Sequence, residues 1–542
     1  MKGFLSIFLV LFFSFVAARS LLAPGLPPTH DGEYHIIRFY EFDKTLRAGD
    51  LYPRWAQDLN NGYGVPLFNY VYPLPNYIAS FFHLFGVSFI DAFKLSMFFA
   101  AIVGSIAMYL WAKIFWGEVG GVVSSVFYTF APYHFVDIYV RGSVGEVWAL
   151  AFFPAFLWSA TVFIKERRPR FVVLSGIFLS LIIFSHNILA LMFFPFALFY
   201  VLFLIFFSKE KLYAIRYTLY AIFLGLGLSA IFWLPAIFEA NYVKGLQIYD
   251  IENNFPELYQ LFIPSWGSGF SNDDLPNQMS PQIGIANIFS LLGTVIVLII
   301  LLRRKQKSVS LLILFFLLWF TVVFFLLLPA SLPIWLHVPL MNYFQFPWRL
   351  LSLEILFLAF LAGSMIMIWK NKIFLALMVI FPIVLGVGYA KPPFYFNRDD
   401  IYYISRSNFI DGTNSPGDLF NTVWFNKGLK KQKEKILVGH GMLTDVQINP
   451  TKYLLRVEVN SDSQVTVNTV YFPGWTAMIN KKEIDTKPDN NGLITFFVPE
   501  STNYIVLFFK NTFVRMIATS ISLVSFFSII LYLVLYFRYE KK

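Results

Sequence analysis

The chain has 542 residues, 57% of them hydrophobic, 20% aromatic and only 14% charged, with a mean hydropathy of +0.63 and a formal net charge of +10. That is more apolar surface than a soluble core can bury, so most of the protein must face lipid; the apolar runs are long and continuous, which excludes a barrel of alternating strands. The chain has no cysteine, no Walker loop and no dinucleotide fingerprint, which excludes disulfides and thiolate chemistry and leaves nucleotide-driven transport without a local motif.

A membrane span needs about 20 apolar residues. Segments of that kind fall near 3–22, 92–112, 119–136, 146–164, 170–186, 188–207, 213–238, 284–302, 308–328, 350–369, 372–390 and 512–536. The expected class is therefore a polytopic α-helical membrane protein with about 12 transmembrane helices. The first segment also has features of a signal peptide, a Lys, an apolar core and "VAARS", but it runs on through Leu21 and Leu22 to nearly full span length. Residues 23–91 follow as one long loop. Within it, "PLPNYIASFFHLFGVS" (73–88) is short, proline-led and carries His83, and reads as an interfacial helix that does not cross. On that count the basic clusters at 165–170, 209–211, 303–307, 370–372 and 538–542 all fall on the cytoplasmic side, as the positive-inside rule asks. The basic residues thus mark orientation in a plasma membrane; nucleic acid is not an expected partner.

The stretch "THDGEYH" (29–35) then lies outside the cytoplasm, just above the bilayer. Asp31 precedes a segment spaced for a helix lying on the membrane, ended by Gly49. One reading makes Asp31 an N-cap and Glu33 a first-turn carboxylate favoured by the helix dipole. The other makes Asp31 a general base held at the bilayer lip, with Glu33 as its support or as a group that binds the acceptor. Further polar residues fall at outer helix ends: His134, Asp137, Arg141 and Glu146; His186 and Asn187; Glu239; Gln345 and Arg349. Arg141 and Arg349 are candidates to hold a phosphate through forked hydrogen bonds, or else form structural ion pairs, Arg141 with Asp137 or Glu146. The two histidines of the opening stretch lack a common zinc spacing. No cofactor is required by the sequence, and a divalent cation such as Mg²⁺ or Mn²⁺ on Asp31 and Glu33 with phosphate oxygens is allowed.

Residues 391–511 change character, with short alternating runs such as "KYLLRVEVNS" and "QVTVNTVYFPGWTAMIN" separated by turn residues. They predict a β-sandwich-like extracytoplasmic domain between a transmembrane module (1–390) and a final span with its cytoplasmic tail (512–542).

The order of "HDGEYHIIRFYEF", "GDLYPRW", "PLFNYVYPLP" and "LFG" after one span, with "YFPGW" at 471–475, resembles the GT-C class of membrane glycosyltransferases. It is most similar to YfhO-like proteins, the membrane family described as "6-pyruvoyl-tetrahydropterin synthase-related". The resemblance implies a first-loop aspartate, here Asp31 with Glu33 completing a D-x-E pair, acting on a polyprenyl-phosphate-linked sugar. The expected reaction is inverting transfer to an extracytoplasmic glycan, lipid or protein. Arg141 or Arg349 would face the leaving phosphate, with Glu146, Asp137, His186 and Gln345 around it. Tyr63, Tyr70, Tyr72 and Trp348 would stack on sugars or anchor the belt, and the β-domain with Trp475 would bind the acceptor glycan or serve as a lid or spacer. The alternatives are a transporter or flippase of lipid-linked glycans and a non-catalytic assembly protein.

Overall fold

The computed structural model describes residues 2–245, 250–272, 277–405, 419–430 and 433–540. Every apolar segment read from the sequence coincides with helix. Among the described residues nine helical runs are long and apolar enough to cross a membrane, and the pair Lys211–Leu228 and Ala230–Phe238, bent by 68°, makes a tenth. Two places account for the difference from the expected twelve. Arg170–Ser185 has 16 residues, about 24 Å of helix against a hydrocarbon core of about 30 Å. The segments 92–112 and 119–136 form one helical run, Phe89–Thr129, 41 residues long, which a break at Gly117 divides in two.

That long helix folds back on itself. Gly117 has φ 73° and ψ −178°, a conformation open in practice to glycine alone. Along a straight helix Ser105 and Ser125 would lie about 30 Å apart. Instead the Ser125 hydroxyl donates to the Ser105 carbonyl at 2.8 Å, and the Ser105 and Thr129 hydroxyls meet at 2.6 Å. Lys113 pairs with Glu118 at 2.6 Å across the bend. Small residues permit the approach: a Cβ on Gly121 would stand 3.0 Å from the Tyr109 carbonyl. The proline-led segment forms Leu74–Leu84, 11 residues and too short to cross.

Two compact units result. One comprises Met1–Gly32, Ile90–Leu226 and Ile248–Arg398; the other Glu33–Phe89, Gly227–Gln247 and Asp399–Lys542. In the first, helix Val144–Glu166 and the helical run Pro347–Met367 are buried almost throughout, and the remaining helices keep an apolar face for lipid.

The second unit holds the β-domain. Its strands are β1 (Ile436–Val438), β2 (Gly441–Asn449), β3 (Lys452–Val459), β4 (Ser463–Val470), β5 (Trp475–Ile479), β6 (Lys482–Asp485), β7 (Lys487–Pro488), β8 (Leu493–Val498) and β9 (Ser501–Phe509). They make two antiparallel sheets, β1-β4-β8-β7 and β2-β3-β9-β5-β6, whose inward residues share one core. That is the predicted sandwich. Its core is completed by the first loop: Trp55, Tyr63 and Tyr70 pack into it, and the Val470 N–H donates to the Tyr63 carbonyl at 2.8 Å. The compact unit therefore does not begin at residue 391.

Burial also changes the expected roles of the aromatic rings. Trp475 is 3% exposed, edge-on to Trp55 at 5.4 Å and beside Tyr453 and Phe509, so it supports the core and offers no face to a glycan. Tyr63 and Tyr70 are core residues for the same reason.

Glu239 ties the final helix, Phe513–Glu540, into this unit. One of its carboxylate oxygens accepts from Asn69 at 2.9 Å and from Arg515 Nε at 3.0 Å, the other from Thr512 at 2.6 Å. Arg54 donates to Asn69 and to the Ile231 carbonyl, both at 2.9 Å.

Lys435 places its amine between the carbonyls of Gly62 and Asn468, at 2.5 and 2.7 Å. Burial pulls this amine down to about 7. A lysine lowered on folding keeps its proton in the unfolded chain over a pH range where the folded protein has lost it. Stability therefore rises with pH between the two values. Glu41, pushed up to about 8 by burial and the Asp58 charge, works in the opposite sense below that pH. Between pH 8 and 10, wild type should gain stability relative to Lys435→Met, by at most about 1.4 kcal/mol per pH unit, in paired melting curves; parallel curves would refute the buried amine.

Candidate active site

The segment 130–146 of the helical unit carries His134, Asp137, Arg141 and Glu146. Pro132 opens one helical turn, and residues Val136–Arg141 widen into a π-helix closed by Gly142 in the left-handed region. Such widened turns recur at functional sites because they re-aim side chains. Here the turn places Asp137 and Arg141 against Glu146, in the first turn of Val144–Glu166.

Glu146, 0% exposed, is the centre of the cluster. Its Oε2 takes Arg141 Nη1 at 2.6 Å and its Oε1 takes Arg141 Nη2 at 2.6 Å, a two-pronged pair. The same Oε1 lies 2.9 Å from Arg349 Nε and 3.7 Å from His186 Nε2. His186 caps helix Asn187–Phe207 by accepting the Leu189 N–H at Nδ1, which leaves the ring proton on Nε2, facing Glu146. Arg349 Nη1 donates to the Phe344 carbonyl at 2.9 Å and to Gln345 Oε1 at 2.8 Å. Gln345 has φ 68°, a left-handed strain of about 1–3 kcal/mol that the surrounding contacts sustain. Six residues singled out in the sequence, Asp137, Arg141, Glu146, His186, Gln345 and Arg349, thus converge in one buried network.

Asp137 is the weaker acid of the two. Its Oδ1 takes Arg141 Nη1 at 2.6 Å, but its Oδ2 is buried without a hydrogen-bond partner among the described residues. Burial and the Glu146 charge push its carboxyl up to about 8. Two guanidinium groups, those of Arg141 and Arg349, thus face the carboxylate of Glu146. The Trp348 ring lies 4.8 Å from Arg141 and 5.8 Å from Arg349, so this tryptophan, 4% exposed, serves cations and has no face for a sugar.

Asp31 is fastened to the same turn. Its N–H donates to the Arg141 carbonyl at 2.9 Å, and the His30 N–H donates to the Val140 carbonyl at 2.9 Å. The Thr29 hydroxyl accepts the Gly32 N–H at 3.2 Å, where helix Gly32–Arg47 begins, and Glu33 lies in the first turn. Gly142 combines φ 65° with close contact: a Cβ there would stand 2.4 Å from the Thr29 hydroxyl. The His30 ring lies tilted against Phe270 at 4.5 Å and its Nε2 meets the Ser268 carbonyl at 2.9 Å. Among the described residues no group of three or more His, Asp or Glu is placed to hold a metal ion.

His134, expected near these groups, turns elsewhere: its ring stands edge-on to Tyr128 at 4.4 Å, lining a small cavity with Ser105 and Thr129. Burial pulls this imidazole down to about 4. The sequence reading missed Glu354, 0% exposed in the first turn of helix Leu351–Ala362, with neither carboxyl oxygen hydrogen-bonded among the described residues. A lone acid inside an apolar run was the available signal.

A family model described as "6-pyruvoyl-tetrahydropterin synthase related domain; membrane protein" matches residues 68–392. A protein of Lactococcus lactis subsp. cremoris (strain MG1363), described as uncharacterized, is 21% identical over 254 residues, 45% of this chain and 41% of its own length. The chain thus spans about two fifths of that relative. Among solved structures, the arabinofuranosyltransferase AftD from Mycobacteria aligns at 13% identity over 72% of this chain and 26% of its own, with a TM-score of 0.42. The oligosaccharyltransferase of Archaeoglobus fulgidus in the apo form aligns at 13% identity over 75% and 58%, with a TM-score of 0.41.

The two carboxylates of the cluster predict unequal effects. Glu146→Gln breaks both arginine pairs and should destabilise by about 3–5 kcal/mol. Asp137→Asn keeps one acceptor for Arg141 and should cost less than about 1.5 kcal/mol. Thermal unfolding of the purified variants in one detergent checks the order.

Proposed function

We propose that this chain, which belongs to the 6-pyruvoyl-tetrahydropterin synthase related family of membrane proteins, is a membrane glycosyltransferase that moves a sugar from a polyprenyl-phosphate carrier to an extracytoplasmic acceptor. One observation carries the reading: the carboxylate-bearing turn at Asp31 hangs by its N–H from the carbonyl of Arg141, whose side chain belongs to the buried cluster of two arginines around Glu146. A proton acceptor and a site for departing negative charge are thereby held by one short segment.

In this mechanism Asp31 takes the proton of an acceptor hydroxyl. The hydroxyl oxygen forms a bond to the anomeric carbon as the bond from that carbon to the phosphate oxygen breaks, and the sugar inverts. The lipid phosphate leaves with the bonding electrons. Arg349 and Arg141 draw it towards the cluster, while Glu146, Asp137, His186 and Gln345 hold the guanidinium groups in place. Glu33, in the first turn of the following helix, supports Asp31 or binds the acceptor. A lipid-borne donor suits a site at the bilayer surface because nucleotide sugars are absent outside the cytoplasm.

The test is transfer by purified protein from a panel of polyprenyl-phosphate sugars, with and without chelator. Asp31→Asn should lower transfer by about 10²–10⁴-fold at unchanged melting temperature. Undiminished transfer in a folded Asp31→Asn variant, or measured transport without transfer, would overturn the reading.

A further inference from the structure

Two segments of the helical unit outside the membrane spans carry large apolar side chains with nothing over them. The first, following Phe255, contains the short helix Leu258–Phe262, locked by reciprocal bonds between Glu257 and Gln260. Tyr259, Phe262 and Ile263 stand out from it, 49%, 41% and 58% exposed. The second, 328–346, contains helix Leu332–His337 and presents Leu336, Val338 and Leu340, 61%, 46% and 52% exposed. The segments are braced together: Trp335, fully buried, meets the Phe255 ring at 6.1 Å and donates Nε1–H to the Leu326 carbonyl at 3.0 Å.

We propose that these segments form a lip immersed in the boundary between headgroups and acyl chains of the bilayer. Three observations point to lipid as the occupant. The lip is continuous with the membrane-facing surface: helix Lys307–Leu326 ends where the second segment begins, and Phe262 of the first meets Phe324 of that helix at 5.9 Å. The 19 residues 328–346 contain no Lys, Arg, Asp or Glu, and neither do residues 258–268. A water-facing loop of that length without charge is unusual, whereas an interfacial one sits about 5–10 Å into the headgroup region. Tyr259 and Tyr343 add the amphipathic rings typical of that depth.

The lip also borders the candidate site. Its first segment runs on to Ser268 and Phe270 on His30; its second ends at Phe344 and Gln345 on Arg349. A substrate carried by a lipid would reach those residues without leaving the bilayer. That service to the site rests on the glycosyltransferase reading; the immersion itself does not.

Because the chain has no cysteine, single-cysteine variants can be spin-labelled directly. Ile263→Cys, Leu336→Cys and Val338→Cys, with Glu500→Cys as the reference, would be reconstituted in phosphatidylcholine vesicles. Glu500 is exposed beside the start of β9, nine residues and about 30 Å of strand from the end that leads into the final helix. At the lip, collisions with oxygen should exceed those with the polar nickel chelate NiEDDA; at the reference the order should reverse. NiEDDA preference at the lip would overturn the proposal, and so would protection from both reagents, which would mean a protein covers it. Normal transfer with a water-exposed lip defeats only this inference; an immersed lip without transfer defeats only the proposed activity.

Discussion

The carboxylate of Glu146, shared by two arginines in a dry interior, is the constraint on which the helical unit's polar architecture rests. Burying such charges costs several kcal/mol per ion, and their attraction recovers that only with good geometry and further hydrogen bonds. The geometry here is of that kind: a two-pronged pair, a second guanidinium at 2.9 Å, an imidazole proton facing the same oxygen, and aromatic rings against both cations. The gain lies in specificity of conformation. Three separate stretches, the π-turn, the start of helix Asn187–Phe207 and the strained turn at Gln345, meet only when all three are correctly placed.

A similar device operates in the other unit. Glu239 and Arg515 are buried together, and Asn69 links them to Arg54, so the first loop, helix Ala230–Phe238 and the final helix converge on one polar knot. The knot sits below a sandwich whose core would be open at Trp475 without Trp55. The first loop, a connection by sequence position, is therefore a wall of the β-domain by packing.

Much of this could be read from residue order. Apolar length located each helix, alternation located the sandwich, and polar residues at one set of helix ends marked the six that join around Glu146. Burial was the part that residue order did not carry. Trp475, Tyr63, Tyr70 and Trp348 have the composition of sugar platforms, yet each lies inside a core or beneath a guanidinium, because an aromatic ring suits both places equally. The reversal at Gly117 was half visible: two apolar segments were expected there, but a continuous helical pattern hides a single left-handed residue. Glu354 was passed over because one acid hardly changes the hydropathy of a long window.

The tight seat of Gly142 against Thr29 has a mechanical corollary. The peptide that ends the π-turn and the peptide that precedes helix Gly32–Arg47 are meshed like two gear teeth, with no slack for a methyl group between them. An anion tugging on Arg141 would drag Asp31 along, so the occupancy of one station would be felt at the other through the main chain alone.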